Sequence, residues 1–152
     1  MRPGDPGQIL VDTGSVSAFD AAAFSRIEIR SGAGNDEIRI DVDGKAITVE
    51  SGAGADVITG GRGREVIAAG DDGDLVLACG GDDTLLLGGG NDTAIQRAGD
   101  GSDVLEGQSG ADTLQVSGSS ESEEFTVQAV GARARITRDL GGGADVAGIE
   151  LA

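Results

Sequence analysis

The chain has 152 residues, a formal net charge of −16 at neutral pH and no histidine. This negative charge argues against binding to nucleic acid or to an anionic membrane, because both are themselves negatively charged. The lack of histidine excludes Ser-His and Cys-His nucleophilic catalysis and removes the commonest zinc ligand. With 28 glycines and three aromatic residues, the chain also has few large side chains with which to fill a core.

Targeting signals and cysteines give little guidance. No apolar run has the length of a membrane span, and the N-terminus lacks the features of a secretory signal. The last residues, 148–152, also contain no obvious export signal, and we expect this chain to be a piece of a larger protein. The single cysteine, Cys79, excludes an intramolecular disulfide framework, and we interpret it as a small residue that replaces a loop glycine.

Residues 1–30 are predicted to form an N-terminal leader and cap. Residues 8–12 are a candidate short strand. Residues 17–24 are the only plausible helix, since a serine precedes an aspartate and three alanines. We expect this short helix to cap the end of the fold, where Phe19 and Phe24 would cover apolar side chains.

The phrase Asp12-Thr13-Gly14-Ser15 matches the catalytic phrase of aspartic proteases. Those enzymes need two aspartates that share a proton, each cradled by bulky apolar strands. This sequence has one copy and a glycine-rich remainder. An ordinary strand-to-turn connection is the expected structure, and a homodimeric aspartic protease stands as a third hypothesis.

Alternating apolar residues begin at residues 26–30 and continue through residues 38–49. Period-two alternation predicts strands. Asp43-Gly44 interrupts the alternation, and an Asp-Gly pair between two alternating runs predicts a β-hairpin.

From residue 51 to residue 116 one nine-residue phrase recurs seven times, for example Leu87-Gly-Gly-Gly-Asn-Asp92-Thr-Ala94-Ile. The acidic position advances by nine, except for one step of eleven at the inserted pair Gln96 and Arg97. Two residues after each acid comes an apolar residue, predicted to point inward from a three-residue strand and to build a thin core. The acids are Asp56, Glu65, Asp74, Asp83, Asp92, Asp103 and Asp112.

Glycines at the second and fourth positions of the phrase allow backbone conformations with positive φ and let carbonyl groups approach one another. Such a loop can wrap around an ion. The glycines predicted to do so are Gly52, Gly54, Gly70, Gly81, Gly88, Gly90, Gly99, Gly101 and Gly110.

This phrase resembles the G-G-x-G-x-D-x-U-x repeat of RTX, or haemolysin-type, calcium-binding proteins. The resemblance covers residues 51–116 and reaches back to the phrase that contains Asp36. It implies an all-β fold, a parallel β-roll or right-handed β-solenoid over residues 31–116 in which two phrases make one turn. Hairpin coils would flank the roll.

With two phrases per turn, the acids stack into two columns. Neighbouring turns lie about 4.8 Å apart, where like charges repel by roughly 1 to 3 kcal/mol. Each column therefore needs a cation, and carboxylate and carbonyl oxygens are the ligands that Ca²⁺ takes. The first column holds Asp36, Asp56, Asp74, Asp92 and Asp112, and the second holds Glu65, Asp83 and Asp103.

The loop at residues 60–65 is predicted to hold no calcium. Glu65 is longer than the usual aspartate, and Arg62 and Arg64 would bring positive charge to the ion's place and pair with Glu65.

Residues 117–152 are predicted to form a hairpin and one degenerate phrase that continues the solenoid. The hairpin pairs residues 125–129 with residues 132–138 and places Arg133, Arg135 and Arg138 on its outer face.

The leading hypothesis is a calcium-binding structural module, not an enzyme, of a secreted or cell-surface bacterial protein that folds when it meets extracellular calcium. Its expected partners are calcium ions and the rest of the parent protein, and we expect a monomer. The second hypothesis is a calcium-independent solenoid that serves as a spacer or adhesive surface. Asp72, Cys79 and Gln108, which occupy glycine positions of the phrase, keep it open.

Overall fold

The structure is a computed structural model that describes residues 8–12, 16–20, 23–130, 133–139 and 149–151. These residues form β-strands and contain no α-helix. Accordingly, no described helix is long and apolar enough to cross a membrane.

Ten consecutive strands, β3 to β12, wind back and forth between two parallel sheets, and each pair of strands completes one of five turns. The longer strands lie in one sheet: β3 (Arg26–Ala33), β5 (Ala46–Ala53), β7 (Glu65–Asp71), β9 (Thr84–Gly89) and β11 (Val104–Ser109). The shorter strands form a five-stranded sheet: β4 (Glu37–Arg39), β6 (Val57–Thr59), β8 (Leu75–Leu77), β10 (Thr93–Gln96) and β12 (Thr113–Val116).

The pairing register confirms that two phrases make one turn. Ile58 lies opposite Val76, eighteen residues on, and Ile38 lies opposite Ile58, twenty residues on. The two extra residues in the first turn fall outside the repeated phrase, as the spacing of the acids predicts. The all-β parallel solenoid expected from the sequence is therefore the observed fold.

The core lies between the two sheets. The apolar residues predicted to point inward are buried, from Ile38 and Ile58 through Leu105, although Leu114 in the last turn is only half-buried. The prediction of one inward-pointing apolar residue per strand is correct for most of the five-stranded sheet but wrong for the other sheet. Because its strands are six to eight residues long, β5, β7 and β9 each bury a second apolar residue: Val49, Ala69 and Leu87.

The hairpin predicted at Asp43-Gly44 is wrong. β4 and β5 lie in different sheets, so the chain at Asp43 and Gly44 crosses from one face of the solenoid to the other. The period-two pattern on both sides is correct, but alternation alone does not say whether two strands pair with each other or with strands of neighbouring turns.

The predicted N-terminal helix is also wrong. β1 (Gln8–Asp12) and β2 (Val16–Asp20) form an antiparallel two-stranded sheet that includes the first half of the proposed helix. Eight residues are too few to hold a helix without packing, so pairing with β1 prevails. Phe24 is 45 % exposed and does not cover the core, and the side chain of Phe19 lies outside the described part of the chain.

The C-terminal hairpin is confirmed: β13 (Glu124–Val130) pairs antiparallel with β14 (Arg133–Asp139). β15 (Ile149–Leu151) joins β14 to β11 and extends the longer sheet to eight strands. Residues 141–148, the proposed degenerate phrase, lie outside the described residues. Arg138 is not on an outer face, because its side chain is 5 % exposed and pairs with Glu123 at 3.5 Å.

Candidate metal centres

The loops that join the two sheets have the backbone that the repeated glycines predict. Every glycine named above as a loop residue has a positive φ, between 91° at Gly99 and 141° at Gly90. A Cβ added to Gly70 would overlap the carbonyl oxygen of Gly52 on the preceding turn, and one added to Gly88 would overlap that of Gly70. Glycine thus lets carbonyl groups stack closely from turn to turn along both edges.

The first column of acids lies along one edge of the solenoid, where the chain enters the five-stranded sheet. The backbone N–H of Asp56 donates to Oδ1 of Asp74 at 2.8 Å. The same bond joins Asp36 to Asp56 and Asp74 to Asp92 at 2.8 Å, and Asp92 to Asp112 at 3.1 Å. Each carboxylate therefore reaches back one turn, and the predicted stacking of the first column is confirmed.

The second column lies along the opposite edge. Glu65 N–H donates to Oδ1 of Asp83 at 2.8 Å, and Asp83 N–H donates to Oδ1 of Asp103 at the same distance. Glu65 itself differs, because its Oε2 accepts the N–H of Gly61 in its own loop at 3.1 Å. The residue opposite Glu65 on the preceding turn is Ile47, so the column of acids begins at Glu65.

The other carboxylate oxygen of most column acids is buried and has no hydrogen-bond partner. Leaving a buried charged oxygen unpaired is costly, whereas a cation beside it removes that cost. No three acidic, cysteine or histidine side chains of the described residues converge on one point. An ion between two turns would therefore take two carboxylates and complete its shell with carbonyl oxygens, a ligand set that suits Ca²⁺. The unpaired oxygens belong to Asp36, Asp56, Glu65, Asp74, Asp83, Asp92 and Asp103.

Burial and neighbouring charge make Asp74, Asp83 and Asp103 resist ionisation. Desolvation, with added repulsion from Asp103 and Glu65, raises the pKa of Asp83 to about 7 against the help of the Glu65 N–H. Desolvation likewise raises the pKa of Asp74 and of Asp103 to about 6. A bound divalent cation would reverse this effect, because it stabilises the charged form.

The predicted pairing of arginines with Glu65 is wrong. Arg64 pairs with Asp82 at 3.6 Å, and Arg62 is exposed. The loop at residues 60–65 does differ from the others, since Gly61 and Gly63 lack the positive φ seen elsewhere.

Three residues in glycine positions keep the loop geometry. Asp72, Cys79 and Gln108 have φ of 75°, 64° and 68°. A side chain is strained in this region, by about 1 to 2 kcal/mol for most residues. These departures from the phrase therefore cost stability without changing the shape of the loops.

Sequence reasoning missed two features of the site. Gly32 and Gly34, in the phrase that ends at Asp36, also have positive φ. Gln96, which follows the repeated phrase, is buried. The insertion at this point was visible in the sequence, but the inward position of Gln96 was not, because it depends on where β10 ends.

Comparison with known proteins gives one family. The model of the RTX calcium-binding nonapeptide repeat, in four copies, matches residues 48–76, 65–94 and 97–118. No curated protein matches the chain. The matched segments hold four of the five stacked turns in whole or in part, and the earlier phrase that ends at Asp36 stacks in the same register. Residues 48–118 of this chain are RTX calcium-binding nonapeptide repeats, folded as a β-roll with stacked acids.

Proposed function

We propose that this chain is a calcium-binding structural module of a secreted or cell-surface bacterial protein, and that it folds when it meets extracellular calcium. The predicted ligands are the aspartates of the two columns and the loop glycines. RTX repeats bind Ca²⁺ as a family, which supports the choice of ion. We also propose the division into a leader and cap at residues 1–30, a roll at 31–116 and a C-terminal part at 117–152.

One observation carries this proposal: the carboxylate oxygens that are buried without a hydrogen-bond partner, in register, along both edges. Without a cation, their burial and mutual repulsion oppose folding. With a cation, the same oxygens become ligands. Since the intracellular calcium concentration is far lower than the extracellular one, the chain would stay unfolded inside the cell, and calcium would fold it outside.

The test is a calcium titration of the whole chain followed by far-ultraviolet circular dichroism, with magnesium as the control ion. Calcium should produce the β-sheet signal, a chelator should remove it, and magnesium should act weakly because it needs a stricter octahedral shell. An unchanged spectrum and melting temperature after chelation would favour the calcium-independent spacer instead.

The structure gives the protease hypothesis little support. Asp12 ends β1, and residues 13–15 lie outside the described part of the chain. The family that matches this chain is a repeat family, and no catalytic family was identified. A cleavage assay with and without pepstatin tests this hypothesis directly.

A further inference from the structure

The C-terminal hairpin carries an exposed apolar row. The eight-stranded sheet continues past the last turn through β15, β14 and β13, whereas the five-stranded sheet ends at β12. Val127 of β13 pairs with Ile136, which packs against the core, so Val127, Phe125 and Ala129 lie on the face that continues the core. Phe125 is 43 % exposed and Val127 is 67 % exposed. At this end of the molecule, the core face of the sheet therefore meets water.

β13 is also the outermost strand of its sheet. Among the described strands it pairs only with β14. An edge strand presents a row of unpaired N–H and C=O groups, and proteins usually protect such an edge with a short strand, charged side chains or proline. The seven residues of β13 include no proline and no glycine, and the only charged one is Glu124 at the start. Its backbone is open to a further strand.

The other edges of the two solenoid sheets are protected. At the opposite end of the eight-stranded sheet, β3 carries Arg26, Glu28 and Arg30, which form ion pairs along the strand and with Glu50 of β5. In the five-stranded sheet, β4 has three residues, two of them charged, and β12 has only four residues. β13 is thus the edge that combines length with a lack of charge.

The sequence of β13 is complementary to itself in antiparallel pairing. When Val127 faces its own copy across a two-fold axis, Phe125 faces Ala129 and Thr126 faces Gln128. Residues directly opposite each other share a face, so a large ring meets a small methyl group and the apolar row doubles in length. On the other face the threonine and the glutamine provide hydrogen-bonding groups. The two copies of Glu124 lie at opposite ends of the paired strands, so these like charges stay apart.

The charge of the hairpin also permits a second copy to approach. The chain carries a net charge of −16, which makes two copies repel each other. Residues 117–139 contribute little to it, because their four acids and three arginines give a net charge of −1. One of these acids, Glu123, pairs with Arg138. Repulsion between two copies is therefore weakest where the hairpins meet.

We propose that this chain forms a symmetric dimer in which β13 of one copy pairs antiparallel with β13 of a second copy. The two eight-stranded sheets then join into one continuous sheet, and the exposed apolar rows of the two copies pack against each other. A two-fold interface uses the same surface on both copies, as this pairing requires. The dimer departs from the monomer expected from the sequence, and it goes beyond the proposed binding of calcium.

The experiment measures the mass of the whole chain by sedimentation equilibrium over a series of concentrations at saturating calcium. The wild type should approach twice the 15.0 kDa mass of one chain. Val127→Lys should weaken dimerisation by at least about tenfold, because two lysines would face each other at the two-fold axis. Val57→Lys is the matched control, because Val57 is 39 % exposed but lies on β6, an internal strand, and this variant should still dimerise.

A mixture of two variants tests the register. Val127→Lys and Val127→Glu should each be mainly monomeric, and mixing them should restore a dimer that contains one copy of each. Only such a mixed pair places opposite charges next to each other at the axis. Pairing in another register, or through another surface, would not restore the dimer.

Four results would overturn the proposal. A folded wild type that stays monomeric up to about 1 mM would exclude the dimer. A dimer that survives Val127→Lys, or one that Val57→Lys dissociates, would place the interface on another surface. Failure of the mixed variants to pair would contradict the antiparallel pairing centred on Val127. Because circular dichroism reports folding separately, loss of the dimer with an intact β-sheet signal concerns β13 and leaves the proposed binding of calcium unaffected.

Discussion

The substitution Asp74→Asn should change the stability of the chain in opposite directions with and without calcium. Asp74 lies in the middle of the first column, where Oδ1 accepts the N–H of Asp56 and its own N–H donates to Asp92. Asparagine keeps one acceptor oxygen for Asp56. It replaces the other, unpaired oxygen with an amide nitrogen and removes the charge.

The magnitudes follow from the stacking. With calcium at a hundredfold excess over Kd, each independent site contributes about 2.7 kcal/mol, so loss of the two sites beside Asp74 costs roughly 5 kcal/mol. Without calcium, the substitution removes repulsion from two neighbours, Asp56 and Asp92, and should stabilise the chain by about 1 kcal/mol for each. Desolvation of the charged carboxylate, the larger cause of its raised pKa, acts in the same direction.

The assay is urea denaturation at saturating calcium and in excess chelator, with sucrose added equally to keep the metal-free chain within its folded range. Asp103→Asn is the matched control, because Asp103 ends the second column and has one neighbour within that column, Asp83. Its loss in calcium should be about half that of Asp74→Asn, roughly 2.7 kcal/mol for one site.

Equal losses for the two variants in calcium would refute the assignment of Asp74 to two sites. A loss of stability for Asp74→Asn in chelator would refute the electrostatic reasoning, because it would mean that the charge stabilises the metal-free fold.

Three other outcomes are expected. Gly70→Ala should destabilise the calcium-bound chain by more than about 2 kcal/mol, because its Cβ would overlap a backbone carbonyl and its φ is positive. The control Gly80→Ala should change stability little. Similar denaturation midpoints for the two variants would contradict the close stacking of carbonyl groups. Cys79→Gly should stabilise the chain by roughly 1 kcal/mol by removing strain at φ 64°, measured by the same denaturation, and a loss of stability would show that the thiol contributes packing. In chelator the chain should be most stable in acid: the folded pKa of Asp83 is raised to about 7, so its contribution is full below its unfolded pKa and falls as pH rises through about 7. Melting temperatures from pH 5 to pH 8, in chelator with the same added sucrose, measure this trend, and calcium should weaken or reverse it.

Much of the fold was predictable because the repeat specifies both the local structure of each residue and its place in the stack of turns. The acid at a fixed place in the phrase, such as Asp74, and the apolar residue two positions later, Val76, specify one loop and one inward side chain. The spacing from Asp56 to Asp74 then specifies the turn, and the observed register agrees. Hydrogen bonds within the columns follow from that register.

The sequence by itself therefore determined the parallel roll, the two columns of acids and the loop backbone, since these depend on periodic local chemistry. The tertiary structure decided the features that the nine-residue period does not specify. Pairing across the turns made Asp43-Gly44 a crossing between sheets, and pairing with β1 made residues 16–20 a strand. The directions of long charged side chains were also decided only in three dimensions. Arg64 pairs with Asp82 one turn further on, which depends on stacking between turns, and Arg138 pairs with Glu123 across the C-terminal hairpin.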